Sequence, residues 1–315
     1  MSATAPVPNT TPGGSELFDP AFLRSLEGLR ILARRVPAGG RMAEQKSKAR
    51  GGGVEFTDVR PYVAGDDFRA IDWHLLQRHD KVFLRLFLEE EDLPVHVVLD
   101  ESASMAVEPP AGTSATTKAT AARRVVAALA YIAAHHLDRV AVHPFADGPR
   151  APLTGISGRA AFHRLLAWLA RRPDAGSDTG LVATLRALSG RRLRRGLCVV
   201  VSDFLDPAGA DAIETALKSL RHDLMLIRIA HPGEERPPLS GELELVDSET
   251  GASLAIHVDQ DLLDRYAAAH AAFTARLDAV ARSRRGSFLT VRTDAPIVPQ
   301  LAALFPGGAH ELRST

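Results

Sequence analysis

The sequence predicts an α/β protein: a doubly wound, mostly parallel sheet that follows a small amino-terminal segment of one helix and β-rich residues. Three observations carry that prediction. From Leu93 onward, apolar runs of strand length alternate with longer helical stretches, the βαβα succession of a sheet covered on both faces. The runs Val95 to Leu99 and Leu197 to Val201 are nearly continuous in apolar residues and too short for helices, as strands buried on both faces should be. With 315 residues, 45% of them hydrophobic, the chain can bury one large core or two smaller ones.

Taken in order, residues 1–16 read as a disordered tail, 17–92 as an amino-terminal segment and 93–315 as the sheet domain. Phe22, Leu23, Leu26, Leu29, Leu32 and Val36 recur at three- and four-residue spacing, predicting an amphipathic packing helix stopped by Pro37 and Gly39-Gly40. A basic loop, 41–50, leads into a stretch dense in Arg, Asp and aromatics. There Phe56, Tyr62 and Trp73 interleave with Glu55, Asp58, Arg60, Asp66, Asp67, Arg69, Asp72 and Arg78. Arg paired with carboxylates and stacked on rings predicts a semi-buried structural knot around Trp73. Gly65 beside the Asp66-Asp67 pair predicts a turn there. Val82 to Leu88 reads as a strand, and the acidic run Glu89 to Asp92 as a solvated hairpin turn before Val95.

Beyond it, strands are expected at 93–99, 139–145, 197–201, 223–229 and 287–292. Helices are expected at 118–136, 160–170, 181–189, 210–220, 260–285 and 298–305, with a hairpin of 242–246 and 253–258 turned at SETG.

Composition removes several function classes. Basic and acidic residues number 38 each, which argues against a global nucleic-acid or anionic-membrane surface. Arg supplies nearly all the positive charge, a mark of GC-rich bacterial coding; Lys stands only at 46, 48, 81, 118 and 218. Cys198, the single cysteine, lies within LCVVV and reads as a small core residue. Residues 1–15 lack the charged start and apolar middle of a secretory signal, and the longest apolar run, Val125 to Ala134, is far short of a spanning helix. The expected compartment is the reducing cytoplasm.

The chemistry gathers in VHVVLDESASM, where a strand ends in Asp100 followed by Ser102 and Ser104. In open α/β sheets ligands bind outside the carboxyl ends of the strands, and a carboxylate with two hydroxyls is a hard-oxygen donor set of the kind Mg²⁺ uses. The alternative is that both serines only bond the loop backbone and cap the next element. Two other segments add oxygen ligands at comparable places: Ser177 and Thr179 at the mouth of a helix, and Asp203 at the end of LCVVVSDF.

The order DxSxS, Thr, Asp resembles the metal-ion-dependent adhesion site of von Willebrand factor A domains, over about Val95 to Arg292. That resemblance implies a von Willebrand factor A-like fold and a metal site of Asp100, Ser102, Ser104, Thr179 and Asp203 holding Mg²⁺ or Mn²⁺. In the same family the Thr is commonly followed by an acidic residue and then two spaced Leu. Thr179 with Leu181 and Leu185 fits that spacing better than Ser177, although Gly180 stands where Asp or Asn is usual.

Upstream, GGGVEFTDVRPYVAGDDFRAIDW followed by Arg78 resembles the signature of the bacterial domain-of-unknown-function family fifty-eight. That likeness implies a partner, a MoxR-type AAA+ ATPase, and a role as adapter or chaperone toward an unidentified client protein. The expectation is therefore a metal-dependent protein-binding module that is not an enzyme, binds no nucleic acid and does not span a membrane.

The competing expectation is a Mg²⁺-dependent phosphohydrolase using Asp100 and Asp203. The haloacid dehalogenase pattern Asp-x-Asp is broken by Ser102, however, and the chain has no GxxxxGK[ST] run, G-x-S-x-G elbow or HExxH pair. His135-His136 read as surface or packing residues, and Arg191 to Arg195 as a solvated loop.

Overall fold

The computed structural model describes residues 17–35, 50–63, 71–79, 82–88, 94–109, 115–135, 138–171, 179–235, 237–247 and 251–304. The expected tail, most of the basic loop, the Gly65–Asp67 turn, the acidic run 89–92 and Ser177 lie outside them. The chain divides into two compact units, one of Met1–Ala33 with Pro94–Thr315 and one of Arg34–Leu93.

Helix α1 (Pro20–Arg35) is amphipathic, with Phe22, Leu26 and Leu29 buried as their spacing predicts, whereas Leu23 is exposed. Phe18, Phe22, Leu26 and Leu29 enter the same hydrophobic cluster as the central strands. Asp19 accepts the Phe22 amide at 2.8 Å and so caps the helix, while Arg124 reaches back to the Leu17 carbonyl at 2.9 Å.

In the second unit, β1 (Arg50–Pro61) pairs antiparallel with β2 (Phe83–Leu88). Helix α2 (Trp73–His79) lies between them in sequence. Asp72 caps it, its carboxylate accepting the amides of His74 at 2.9 Å and Leu75 at 3.2 Å.

Two expectations for this region are corrected. Trp73 is 59% exposed rather than buried in a knot, because it opens a short helix whose polar contacts are made by Asp72. β2 does not form a hairpin with the strand after it: β1 takes that pairing, and the next strand pairs elsewhere.

That next strand, β3 (Pro94–Asp100), lies in the interior of the first unit's sheet. After it come α3 (Ala103–Ala106), α4 (Lys118–His135), β4 (Arg139–Phe145), β5 (Leu153–Ile156), α5 (Gly158–Leu169), α6 (Leu181–Gly190), β6 (Leu197–Ser202), α7 (Gly209–Ser219) and β7 (Asp223–Ala230). The chain closes through α8 (Pro232–Glu235), β8 (Gly241–Val246), β9 (Ser253–Val258), α9 (Gln260–Ser283), β10 (Ser287–Arg292) and α10 (Ile297–Leu301).

Six strands form one sheet in the order β10-β7-β6-β3-β4-β5, parallel except for β5. The expected mixed α/β architecture with a largely parallel sheet is therefore present. Short β5 does not read as an apolar run and is not expected from the sequence, whereas β1 falls in the segment expected to be β-rich without a strand placed there. β8 and β9 pair with each other as a separate two-stranded sheet.

Strand alternation divides the core in two. Val95, Val97, Leu99, Val199, Val201 and Ile227 face α1, α4, α5 and α10, whereas Val98, Cys198, Val200, Leu224 and Leu226 face α6, α7 and α9. Burial on both faces is why these strands read as continuous apolar runs. Cys198 is buried in the second cluster, as its sequence context predicts.

The order also fixes where a ligand crevice belongs. From β3 the chain adds β4 and β5 on one side, then crosses back to add β6, β7 and β10 on the other. The topological switch point therefore lies beside β3, outside the carboxyl ends of β3 and β6. Asp100 and Asp203 both belong to that edge.

Candidate metal centre

Asp100 ends β3 with no exposed surface. One of its oxygens accepts the Ser102 amide at 3.0 Å and the other accepts the Ser202 hydroxyl at 2.5 Å. Ser202 is the last residue of β6, so the two central strands are tied at the switch point by this bond. The Ser202 oxygen in turn accepts the Phe204 amide at 2.9 Å, across a turn in which Phe204 takes the left-handed conformation, φ 62°. That backbone is costly for a bulky residue, and it persists here with Phe204 fully buried in the second core cluster. The turn sets Asp203 toward the loop that follows β3.

Asp203 is 2% exposed. One oxygen accepts the Leu205 amide at 3.0 Å, while the other accepts Lys118 Nζ at 2.7 Å and the Ser104 hydroxyl at 3.4 Å. Ser104 also lies 3.1 Å from Ser102, hydroxyl to hydroxyl. Although Ser102 stands at the start of α3, its side chain makes no capping bond. The backbone-capping alternative for Ser102 is thus not what the structure has. A continuous chain of hydrogen bonds joins Asp100, Ser102, Ser104 and Asp203.

Thr179 is buried at the mouth of α6, next to Gly180, whose amide donates to the Ala146 carbonyl just past β4 at 2.6 Å. The Asp206 carboxylate accepts the Val182 amide at 2.9 Å, tethering the start of that helix to the loop after β6. Gly180, the departure from the family pattern, has a steric reason. A Cβ there would lie 2.5 Å from the Asp147 carbonyl oxygen, so no larger residue fits without moving the loop that carries Thr179.

Electrostatically the centre is short of positive charge around Asp100. Burial first, and the Asp203 carboxylate second, push its pKa up to about 7 against the opposing bonds from Ser202 and Ser102. Its neighbour Glu101 belongs elsewhere: it is buried against Arg123 at 3.3 Å and Arg150 at 3.7 Å. Burial raises the Glu101 pKa and the two guanidinium groups counter it.

The donor set fits a hard dication. Its oxygens come from two carboxylates and from neutral hydroxyls, and Asp100 is met only by neutral donors. Among the described residues no group of three His, Cys, Asp or Glu side chains is set to hold a metal, so a site here depends on the hydroxyl oxygens.

Sequence reasoning missed Ser202, Asp206, Lys118 and Glu234, the last of which pairs with Lys118 at 2.8 Å. Ser202 and Asp206 flank Asp203, yet nothing in their spacing marks them. Lys118 carried a faint signal, as one of five lysines in an Arg-rich chain standing at the head of an Ala-rich helix.

No described helix is long and apolar enough to cross a membrane. An uncharacterized protein of Mycobacterium tuberculosis is 27% identical over 281 residues, covering 89% of this chain and 87% of that one. One from Mycobacterium avium is 34% identical over 140 residues, 44% of this chain and 82% of that one. Among solved structures, an aerotolerance-related membrane protein from Bacteroides fragilis covers 71% of this chain and all of that chain, at 16% identity and a TM-score of 0.41. BatB from Bacteroides thetaiotaomicron gives the same coverage at 14% identity and a TM-score of 0.39. Residues 58–276 match the family described as protein of unknown function DUF58, a span that holds Asp100, Ser102, Ser104, Thr179 and Asp203, and the chain belongs to that family.

Proposed function

We propose that this chain is a metal-dependent protein-binding module with a von Willebrand factor A-like sheet, acting as adapter or chaperone partner of a MoxR-type AAA+ ATPase. The observation that carries the reading is the hydrogen-bonded set Asp100, Ser102, Ser104 and Asp203 at the switch point, with Thr179 at the adjoining helix mouth. These five residues would hold Mg²⁺ or Mn²⁺. When bound, the ion supplies an electrophilic position that a partner's Asp or Glu can occupy, since hydroxyl ligands contribute no charge.

The surroundings support a protein partner. Val107 and Leu205, from the two loops that carry the site, are 54% and 55% exposed. Exposed apolar side chains are surface that a protein partner can take out of water.

The test is capture of a purified MoxR-type ATPase in Mg²⁺, in EDTA, and by the Asp100→Ala variant. Capture in Mg²⁺ that is lost in EDTA and in the variant is the expected result, with phosphatase and ATPase activity of the isolated chain at background. Capture undiminished after the metal is stripped would defeat the reading. Metal-dependent turnover of phosphate esters would replace it with hydrolysis.

A further inference from the structure

Lys118 opens α4 and is 9% exposed, deep for an ammonium. Its Nζ lies 2.7 Å from Asp203 Oδ2 and 2.8 Å from Glu234 Oε1. The Asp203 oxygen it holds is the same one that receives the Ser104 hydroxyl, so the cation sits on the atom that links Asp203 to the rest of the candidate site. The ammonium is thus held between two carboxylates, one of them a residue of the candidate site.

Glu234 reaches the site from α8, after β7, with its other oxygen accepting the His231 amide at 3.1 Å. Counting formal charges, Asp203 and Glu234 share one ammonium while Asp100 has none.

From this arrangement we infer that Lys118 is a built-in cation that competes with the dication for Asp203, and that Glu234 sets the strength of the competition. The inference rests on the metal-binding reading of the site. A dication entering beside Asp100 draws on Asp203 and meets the ammonium as a like charge. Glu234 gives the ammonium a second carboxylate to keep, so Asp203 can turn toward the metal without stranding a buried charge. With both residues present, the site holds its ion loosely enough for occupancy to respond to a partner that adds a carboxylate.

The two residues predict opposite shifts. Titration calorimetry of the full chain with MgCl₂ and MnCl₂ should show Lys118→Met binding at least tenfold tighter than wild type and Glu234→Gln at least threefold weaker, with Lys118→Arg near wild type. A residue that merely supports the fold would move both variants the same way or neither. Circular dichroism in EDTA identifies a variant that has not folded. If Lys118→Met does not fold, the half-buried Glu234 decides the matter, and unchanged or tighter binding in Glu234→Gln overturns the inference.

Equal affinity of wild type and folded Lys118→Met also overturns it while leaving the metal reading intact. Binding by Lys118→Met but not by wild type supports it, and refutes metal dependence of the native chain. Absence of binding in every variant overturns both.

Discussion

Lowering the pH should destabilise this protein through three buried imidazoles, in an amount that His143→Gln can isolate. His96 on β3, His143 on β4 and His222 before β7 are 6–7% exposed, with ring centroids 5.6 Å apart for His96–His143 and 4.8 Å for His96–His222. His96 Nε2 faces the Arg194 carbonyl at 3.2 Å and so carries its proton there. Its Nδ1 then accepts from His143 Nε2 at 3.4 Å, and His222 Nδ1 accepts the Gly196 amide at 3.3 Å. The network is satisfied with all three rings neutral.

Burial first, then the neighbouring imidazoles and the guanidinium groups of Arg191, Arg195 and Arg284, pull the pKa values of His143 and His222 from 6.5 down to about 4. His96 is lowered as well, by burial. Asp223 opposes the shift at His222.

With folded pKa values depressed, the unfolded chain binds protons between pH 6.5 and 4 that the folded chain refuses, so stability is complete above 6.5 and falls toward 4. One ring moved from 6.5 to about 4 contributes roughly 3 kcal/mol, a large share of a net stability of about 5 to 15. Asp100 acts in the opposite sense. Its pKa of about 7 means that the folded chain binds the extra proton there, and stability rises as pH falls from 7 toward 3.8.

The wild-type profile is the sum of these terms, so the decisive quantity is a difference between slopes. In EDTA, urea unfolding at half-unit steps from pH 7 to 4.5 should give His143→Gln a slope shallower than wild type by about 1.4 kcal/mol per pH unit, whatever its absolute stability. Equal slopes would refute the reasoning, because they would mean that the imidazole gains its proton equally in both states.

Two further outcomes rest on packing. Gly180→Ala should lower stability by roughly 1 to 3 kcal/mol, since its new Cβ meets the Asp147 carbonyl, and should weaken metal binding by displacing Thr179. Calorimetry and a thermal melt check both, and a variant matching wild type in each would show that the loop gives way freely. Trp73→Ala, at a position 59% exposed, should change stability by no more than about 0.5 kcal/mol. A melting point lowered by ten degrees would show that the indole is buried.

What the sequence reveals here depends on whether a residue acts through its neighbours in sequence or in space. β3 and β6 are legible because strands buried on both faces read as continuous apolar runs, and DESAS places a carboxylate and two hydroxyls at the end of one of them. Trp73 misleads for the opposite reason: a density of Arg, Asp and rings fits a buried knot as well as a short exposed helix capped by Asp72. β1 is expected only as part of a β-rich segment, because its apolar alternation is confined to Val54 and Phe56 after three glycines, and pairing with β2 defines its bounds. Gly180 looks like a defect in the family pattern until the Asp147 carbonyl is seen where its side chain would stand.

The partners of the site residues are hidden for a stronger reason, which is distance along the chain. Ser202 meets Asp100 across 102 residues and Lys118 meets Asp203 across 85. Local pattern holds no trace of either pairing. Both arise from the strand order, which places β6 beside β3 and lays the head of α4 over their carboxyl ends. A motif can therefore announce that oxygen ligands gather at this edge, but it cannot announce the charge among them. That charge decides how the site behaves. Two buried carboxylates facing hydroxyls alone would meet a dication with no cation competing for them. With Lys118 and Glu234 among them, Asp203 already shares an ammonium, and under the proposed reading a carboxylate arriving from a partner would change the occupancy, the property that an adapter engaging and releasing its partner would need.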